Sequence, residues 1–315
     1  MSADNNEEAD EEEMIRCASC GVSGDDVNLR KCTACYLVRY CGVKCQKEHR
    51  KKHKKECKKR AAELHDELLF KQPESTHFGD CPICMIPLPL DPLKSTLMPC
   101  CSEVICNGCD YSIKMREFEG RFQQGCPFCR NPTPESQIEA DKIRMKRVEA
   151  NDPVAFQQLA TQRYQDERDY EGAFEYWTKA AELGDALSHY HLSWLYVHGE
   201  GVEKDKKKEV HHLEQAAIGG HPEARHSLGM FEGINRRYER AARHLIIAAK
   251  LGFDESMKNL KLMYKDGLVS KDVFASTLRA HKAAVDAMKS PQREAAETDV
   301  DYCEFRQNMM NECGF

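Results

Sequence analysis

Residues 176–185 read YWTKAAELGD, and the same pattern returns as HLEQAAIGGH at 212–221 and HLIIAAKLGF at 244–253. Each copy places a glycine (Gly184, Gly220, Gly252) four residues after an alanine. Upstream of these, Leu159, Leu192, Leu228 and Leu260 recur at intervals of 33, 36 and 32 residues. Self-similarity at that period marks a repeat architecture. Each unit reads as two amphipathic helices: the Ala-Ala pair lets helices approach closely, and the glycine ends the second helix. Four units over residues 150–290 make an α-solenoid. Its last unit is degenerate, with Ala287 in place of the glycine, as a capping unit often is.

These anchors, together with the inserted HGEGVEKD at 198–205, resemble the Sel-like subclass of tetratricopeptide-type repeats. Within them lie seven histidines: His189, His191, His198, His211, His212, His221 and His226. Their mixed helical phases read, for most of them, as helix-surface positions rather than a metal site. The tail, 291–315, has no clear period and reads as flexible, with Cys303 and Cys313 as ordinary thiols.

Toward the N-terminus the composition changes. Of seventeen cysteines, fifteen lie between Cys17 and Cys129, mostly in Cys-x-x-Cys pairs. No stretch approaches the roughly 18 consecutive apolar residues of a membrane span. The opening MSADNNEEADEEE is acidic and lacks the basic and apolar regions of a secretory signal. These features imply a cytoplasmic or nuclear protein, with no membrane partner. Thiols there stay reduced, so clustered cysteines read as metal ligands rather than disulfides. The net charge of −6 conceals an acidic segment at 2–13 and ten Lys or Arg within 44–60. Residues 1–15 read as a disordered acidic tail. A first cysteine block occupies 16–58 and a second 79–132. AAELHDELLF continues the first block as a helical linker over 59–78, broken by Gln72-Pro73-Glu74-Ser75-Thr76. Neither block is long enough to fill a conventional core, so metal must replace apolar burial. The expected fold is therefore a pair of small zinc-stabilised α+β modules followed by an all-α solenoid of helix-hairpin repeats.

The first block offers eight ligands: Cys17, Cys20, Cys32, Cys35, Cys41, Cys45, His53 and Cys57. Eight fill two tetrahedral sites with no open position, the form structural zinc takes. Cys-x3-Cys and His-x3-Cys pairs present both ligands from successive turns of one helix face. The pattern, with Arg39-Tyr40-Cys41 and Cys45-Gln46, closely resembles the MYND zinc finger. That resemblance implies interleaved ligands: Cys17, Cys20, Cys41 and Cys45 on one ion, Cys32, Cys35, His53 and Cys57 on the other. It also implies binding of short peptide motifs on partner proteins. His49 falls outside this ligand set and reads as a surface residue. The basic run carries no interleaved aromatic residues for base stacking, which argues against nucleic acid as the partner.

The second block again supplies eight thiols: Cys81, Cys84, Cys100, Cys101, Cys106, Cys109, Cys126 and Cys129. It resembles a RING finger of an all-cysteine kind. Carried over, Cys81, Cys84, Cys106 and Cys109 hold one zinc, and Cys100, Cys101, Cys126 and Cys129 the other, for four ions in the chain. The departure is the vicinal Cys100–Cys101 where the common form has Cys-x-His. Adjacent side chains point apart in extended backbone, so both reach one ion only from a bend. One of the pair acting with Glu103 is the alternative. The resemblance further implies contacts to a ubiquitin-conjugating enzyme through Ile83, Pro127 and Arg130. Two functions follow as expectations: a RING-type ubiquitin ligase whose MYND finger and repeats bind substrate, or a non-catalytic adaptor or transcriptional co-regulator.

Overall fold

A computed structural model describes residues 16–120, 125–132, 134 and 136–313. The acidic segment 1–15 lies outside the described residues. The chain divides into two compact units, with the boundary between Leu69 and Phe70.

The first unit holds a minimal antiparallel pair, β1 (Arg30–Lys31) and β2 (Arg39–Tyr40), and one helix, α1 (Val43–Leu69). Its apolar interior is small: Cys17, Cys32, Cys35 and Tyr40 are buried, with Val22, Leu29 and Val38 packed against them. α1 runs on through AAELHDELL, as the apolar spacing there requires. Its basic side chains are mostly exposed, and Arg60 pairs with Glu63 at 3.2 Å and Glu67 at 2.8 Å.

The second unit begins with an irregular strap, residues 70–79, laid across the helical repeats. The Phe70 ring sits 4.5 Å from His244, with the Arg243 guanidinium 3.6 Å above it. Further on, the His77 N–H donates to Gly220 O at 3.1 Å. The second cysteine block follows as a hairpin, β3 (Ser95–Leu97) with β4 (Val104–Cys106), leading into α2 (Asn107–Phe118). Leu88 and Ile105 form its core beside Cys81, Cys106 and Cys109.

Helix α3 (Gln137–Glu149) precedes four antiparallel pairs: α4 (Pro153–Gln162) with α5 (Tyr170–Glu182), α6 (Ala186–His198) with α7 (Lys206–Ile218), α8 (Pro222–Ile234) with α9 (Tyr238–Lys250), and α10 (Asp254–Lys265) with α11 (Lys271–Ala287). The sequence anchors fall where packing demands them. Leu159, Leu192, Leu228 and Leu260 are buried, and so are the pairs Ala180–Ala181, Ala216–Ala217 and Ala248–Ala249. Gly184, Gly220 and Gly252 adopt φ of +94°, +85° and +93°. Each closes the same turn, in which Asp185, His221 and Phe253 N–H groups return to Ala180, Ala216 and Ala248 carbonyls. The residue after each glycine is at once the N-cap of the next helix. The hairpins therefore succeed one another with no spare residue. Among the described residues no helix is long and apolar enough to cross a membrane.

Two expectations need correction. The segment expected to be a flexible tail instead forms α12 (Pro291–Thr298) and α13 (Val300–Cys313). Most of the seven repeat histidines are not surface residues; only His198 and His211 are exposed. His191 stacks on Trp177 at 4.5 Å, and His221 lies between His77 at 4.2 Å and Tyr190 at 4.4 Å. His189 Nδ1 and His212 Nδ1 are 3.0 Å apart. Burial pushes His77 and His191 down to about 4, so these rings are neutral aromatic packing groups at physiological pH.

Candidate metal centres

Four Cys-x-x-Cys segments share one local conformation. The residue after the second cysteine is left-handed in each: Gly21 at φ +77°, Tyr36 at +56°, Met85 at +56° and Arg130 at +60°. Its N–H returns to the carbonyl of the first cysteine (Cys17, Cys32, Cys81, Cys126) at 2.8 to 3.0 Å. This tight turn aims both sulfurs of a pair to one side. The partner ligands come mainly from helices. Cys45, His53 and Cys57 lie on α1, and Cys106 caps α2 while Cys109 lies in its first turn.

These elements assemble four groups, within each of which all ligand atoms lie inside 4.8 Å of one another. In the first unit they are Cys17, Cys20, Cys41 and Cys45, and then Cys32, Cys35, His53 and Cys57. In the second they are Cys81, Cys84, Cys106 and Cys109, and then Cys100, Cys101, Cys126 and Cys129. Both modules are thus interleaved along the chain. Sulfur–sulfur edges include Cys20–Cys41 at 3.6 Å, Cys32–Cys57 at 3.8 Å, Cys84–Cys106 at 3.8 Å and Cys101–Cys126 at 3.5 Å. A zinc tetrahedron with bonds of about 2.3 Å has sulfur–sulfur edges of about 3.8 Å, so donor type and spacing fit that ion.

Charge makes the same point. In the Cys81 group, the Cys106 thiol hydrogen-bonds to Cys81 and lowers it to about 4. Burial, reinforced by the charge at Cys81, pushes Cys109 up to about 12. Burial likewise raises Cys57 to about 11, with Cys32 and Cys35 adding to it. Four thiolates cannot share so small a volume unless a divalent cation offsets them. Every group offers four donor atoms, the number that fills a closed tetrahedral site and leaves no open position.

The vicinal pair is resolved by a turn. Cys101 and Ser102 N–H groups both point back to Met98 O, and Ser102 is left-handed at φ +61°. The bend brings Cys100 Sγ to 3.2 Å from Cys129 Sγ and Cys101 Sγ to Cys126 Sγ. Glu103 is not in the group. Helix α3 holds this turn from outside: Arg147 donates to Cys101 O at 3.2 Å and pairs with Asp152, which accepts from Ser102 Oγ at 2.5 Å.

Of the remaining expected site residues, Ile83 is 41 % exposed between Cys81 and Cys84. Pro127 is half-buried and Arg130 exposed. His49 proves partly buried rather than a surface residue: its Nδ1 lies 3.1 Å from Tyr40 Oη and its ring stacks on His53 at 5.7 Å. Nothing in local spacing signals that role, since it depends on Tyr40 folding across α1.

Comparison with known proteins bears on two of the three parts. Residues 17–57 match the MYND finger, and residues 162–185, 186–221 and 222–253 each match the Sel1 repeat. The last two spans coincide with the α6–α7 and α8–α9 hairpins. No RING family model matches the second block. Among solved structures, the chain is similar to a Sel1 repeat protein from Oxalobacter formigenes, at 28 % identity and TM-score 0.41, covering 47 % of this chain and 64 % of that one. It is also similar to c5321, a protective antigen present in uropathogenic Escherichia coli strains displaying an SLR fold. That match has 21 % identity and TM-score 0.42, covering 65 % of this chain and 48 % of that one. The chain spans less than two thirds of the length of either structure.

Proposed function

We propose that this protein is a zinc-structured interaction scaffold whose second module acts as a RING-type ubiquitin ligase. On this reading the sixteen assigned ligands hold four zinc ions, two per module. The observation that carries the ligase reading is the exposure of Ile83 and Arg130 on the second block, whose thiols pair as Cys81/84/106/109 and Cys100/101/126/129. Ile83, inside the first knuckle, and Arg130, directly after the last cysteine, are both solvent-exposed. An exposed apolar side chain and guanidinium suit docking of a ubiquitin-conjugating enzyme, together with the half-buried Pro127 of the last knuckle. Arg130 is then positioned to bridge carbonyl groups of the enzyme and ubiquitin. The acceleration comes from holding the thioester in a reactive arrangement, not from covalent chemistry at zinc.

Substrate or partner proteins are bound by the MYND finger and the repeats. An exposed apolar row supports the latter: Trp194, Met230 and Leu262 occupy equivalent places on α6, α8 and α10, two residues after the buried leucines. Asn259 Nδ2 reaches Met230 Sδ at 3.3 Å, which ties the row together between α8 and α10.

The test is purified protein with ubiquitin, activating enzyme and a panel of conjugating enzymes, alongside Arg130→Ala and Cys126→Ser. Wild type builds chains with at least one enzyme and both variants lose them. If wild type builds none with any enzyme, the ligase reading fails and the adaptor reading stands. The adaptor reading draws on the vicinal Cys100–Cys101 pair, which departs from the common ligase pattern.

A further inference from the structure

The C-terminal helices are packed hard against the second cysteine module. At Gly108, in the first turn of α2, an added Cβ would lie 2.7 Å from Arg293 N and 2.9 Å from Gln292 C, so backbone meets backbone. Around that contact, Tyr302 Oη donates to Asp110 Oδ2 at 2.7 Å and Tyr111 Oη donates to Asp299 Oδ2 at 2.9 Å. Arg306 donates to Ser95 O at 3.2 Å, and Lys94 pairs with Glu297 at 2.8 Å.

Arg293 lies at the centre of this contact and is only 6 % exposed. Its Nη1 donates to Pro87 O at 2.7 Å and Met288 O at 2.5 Å. Its Nη2 donates to Ile86 O at 3.1 Å and reaches Cys84 Sγ at 3.8 Å. Ile86 O is the same carbonyl that accepts from Cys81 N and closes the knuckle. A buried guanidinium needs an opposite charge. Among the described residues no carboxylate lies within ion-pair distance of Arg293, and what faces it is the Cys81/84/106/109 group. Four thiolates around one divalent zinc leave a net charge of about −2, which supplies that counter-charge.

We propose that Arg293 is the outer-sphere partner of the zinc–thiolate centre of Cys81, Cys84, Cys106 and Cys109, and that α12 and α13 are structural parts of the second module. The inference rests on those cysteines holding zinc, and it is independent of ligase activity. Arg293 does two things at once. Its N–H groups share the thiolate charge at Cys84, and they pin the backbone of residues 86 and 87, which fixes the knuckle bearing Ile83. Outer partners of this kind hold ligand orientation and tune the metal.

The full chain, loaded with zinc or with ¹¹³Cd, provides the test, using Arg293→Met and Arg293→Lys. With zinc, release to a chromogenic chelator is followed in time. Arg293→Met speeds release of one zinc by roughly 10–100-fold and leaves the remaining ions at wild-type rates. Arg293→Lys keeps the charge but cannot span Cys84 and the three carbonyls, and it falls between. With ¹¹³Cd, one all-sulfur resonance shifts in both variants while the mixed cysteine–histidine resonance of the first module stays in place. Far-UV circular dichroism reports whether Arg293→Met keeps its helices; if it does not, Arg293→Lys decides. Wild-type release from every site, or faster release with all cadmium resonances unmoved, overturns the assignment, the second because it indicates only a packing role.

Discussion

Gly184 and Gly220 occupy the same place in successive repeats, with φ of +94° and +85°, yet their surroundings differ. A Cβ added at Gly184 meets nothing within 4 Å, whereas one at Gly220 would lie 2.8 Å from Ser75 O and 3.2 Å from His77 N. Alanine in the left-handed region costs about 1–2 kcal/mol at either site. At Gly220 the strap must also move away, at a further cost of about 1–3 kcal/mol typical of overpacking. The displacement also strains the His77 N–H bond to Gly220 O. Gly220→Ala should therefore destabilise the protein by about 2–5 kcal/mol and Gly184→Ala by about 1–2 kcal/mol. Urea unfolding followed by circular dichroism at 222 nm, in buffer with excess zinc, measures the difference. Equal midpoints for the two variants would refute the claim that residues 75–77 are packed on the repeat turn. Adding Ser75→Gly, which loosens the strap, should recover part of the loss at Gly220 and none at Gly184.

Other consequences are open to the same kind of measurement. The folded-state pKa values of His77 and His191 lie near 4, below the ordinary value of about 6.5 in the unfolded chain. The unfolded state therefore binds more protons between those values, and stability falls as pH drops through this window. At pH 5.5 each ring costs about 1 kcal/mol relative to pH 7.5. Hydrogen exchange read by mass spectrometry should show α6 to α8 losing protection at pH 5.5, after correction for intrinsic rates; unchanged protection there contradicts the burial of these rings. Leu228→Ala on α8 should cost about 2–5 kcal/mol, because the side chain is buried. Met230→Ala, exposed two residues along, should cost less than about 1 kcal/mol. Thermal unfolding compares the two, and similar losses would mean that the apolar row is core rather than surface.

Much of this organisation is legible in the chain because the constraints are local. Ala216, Ala217 and Gly220 are required by one close helix contact and one left-handed turn, and those needs write themselves at fixed spacing. The same is true of the cysteine pairs, where a knuckle of five residues carries its own hydrogen bonds. The vicinal Cys100–Cys101 is legible only as a demand for a bend; the turn at Met98–Ser102 and the Arg147 contact that holds it come from elsewhere. Contacts across long sequence separations leave no periodic trace. Arg293 and Ile86 meet through two ordinary-looking residues, so the C-terminal helices read as a featureless tail. The buried histidines follow the same rule. The phase of His221 on its own helix says little when its stacking partners, His77 and Tyr190, come from the strap and a neighbouring hairpin.

The central claim is that both cysteine-rich modules are closed, interleaved zinc sites. Elemental analysis of purified chain by inductively coupled plasma mass spectrometry, combined with zinc-edge X-ray absorption, tests it directly. Four zinc ions per chain are expected, with an average first shell of sulfur at about 2.3 Å and one nitrogen for every fifteen sulfurs, from His53. Two ions per chain, or a shell rich in oxygen, would contradict it.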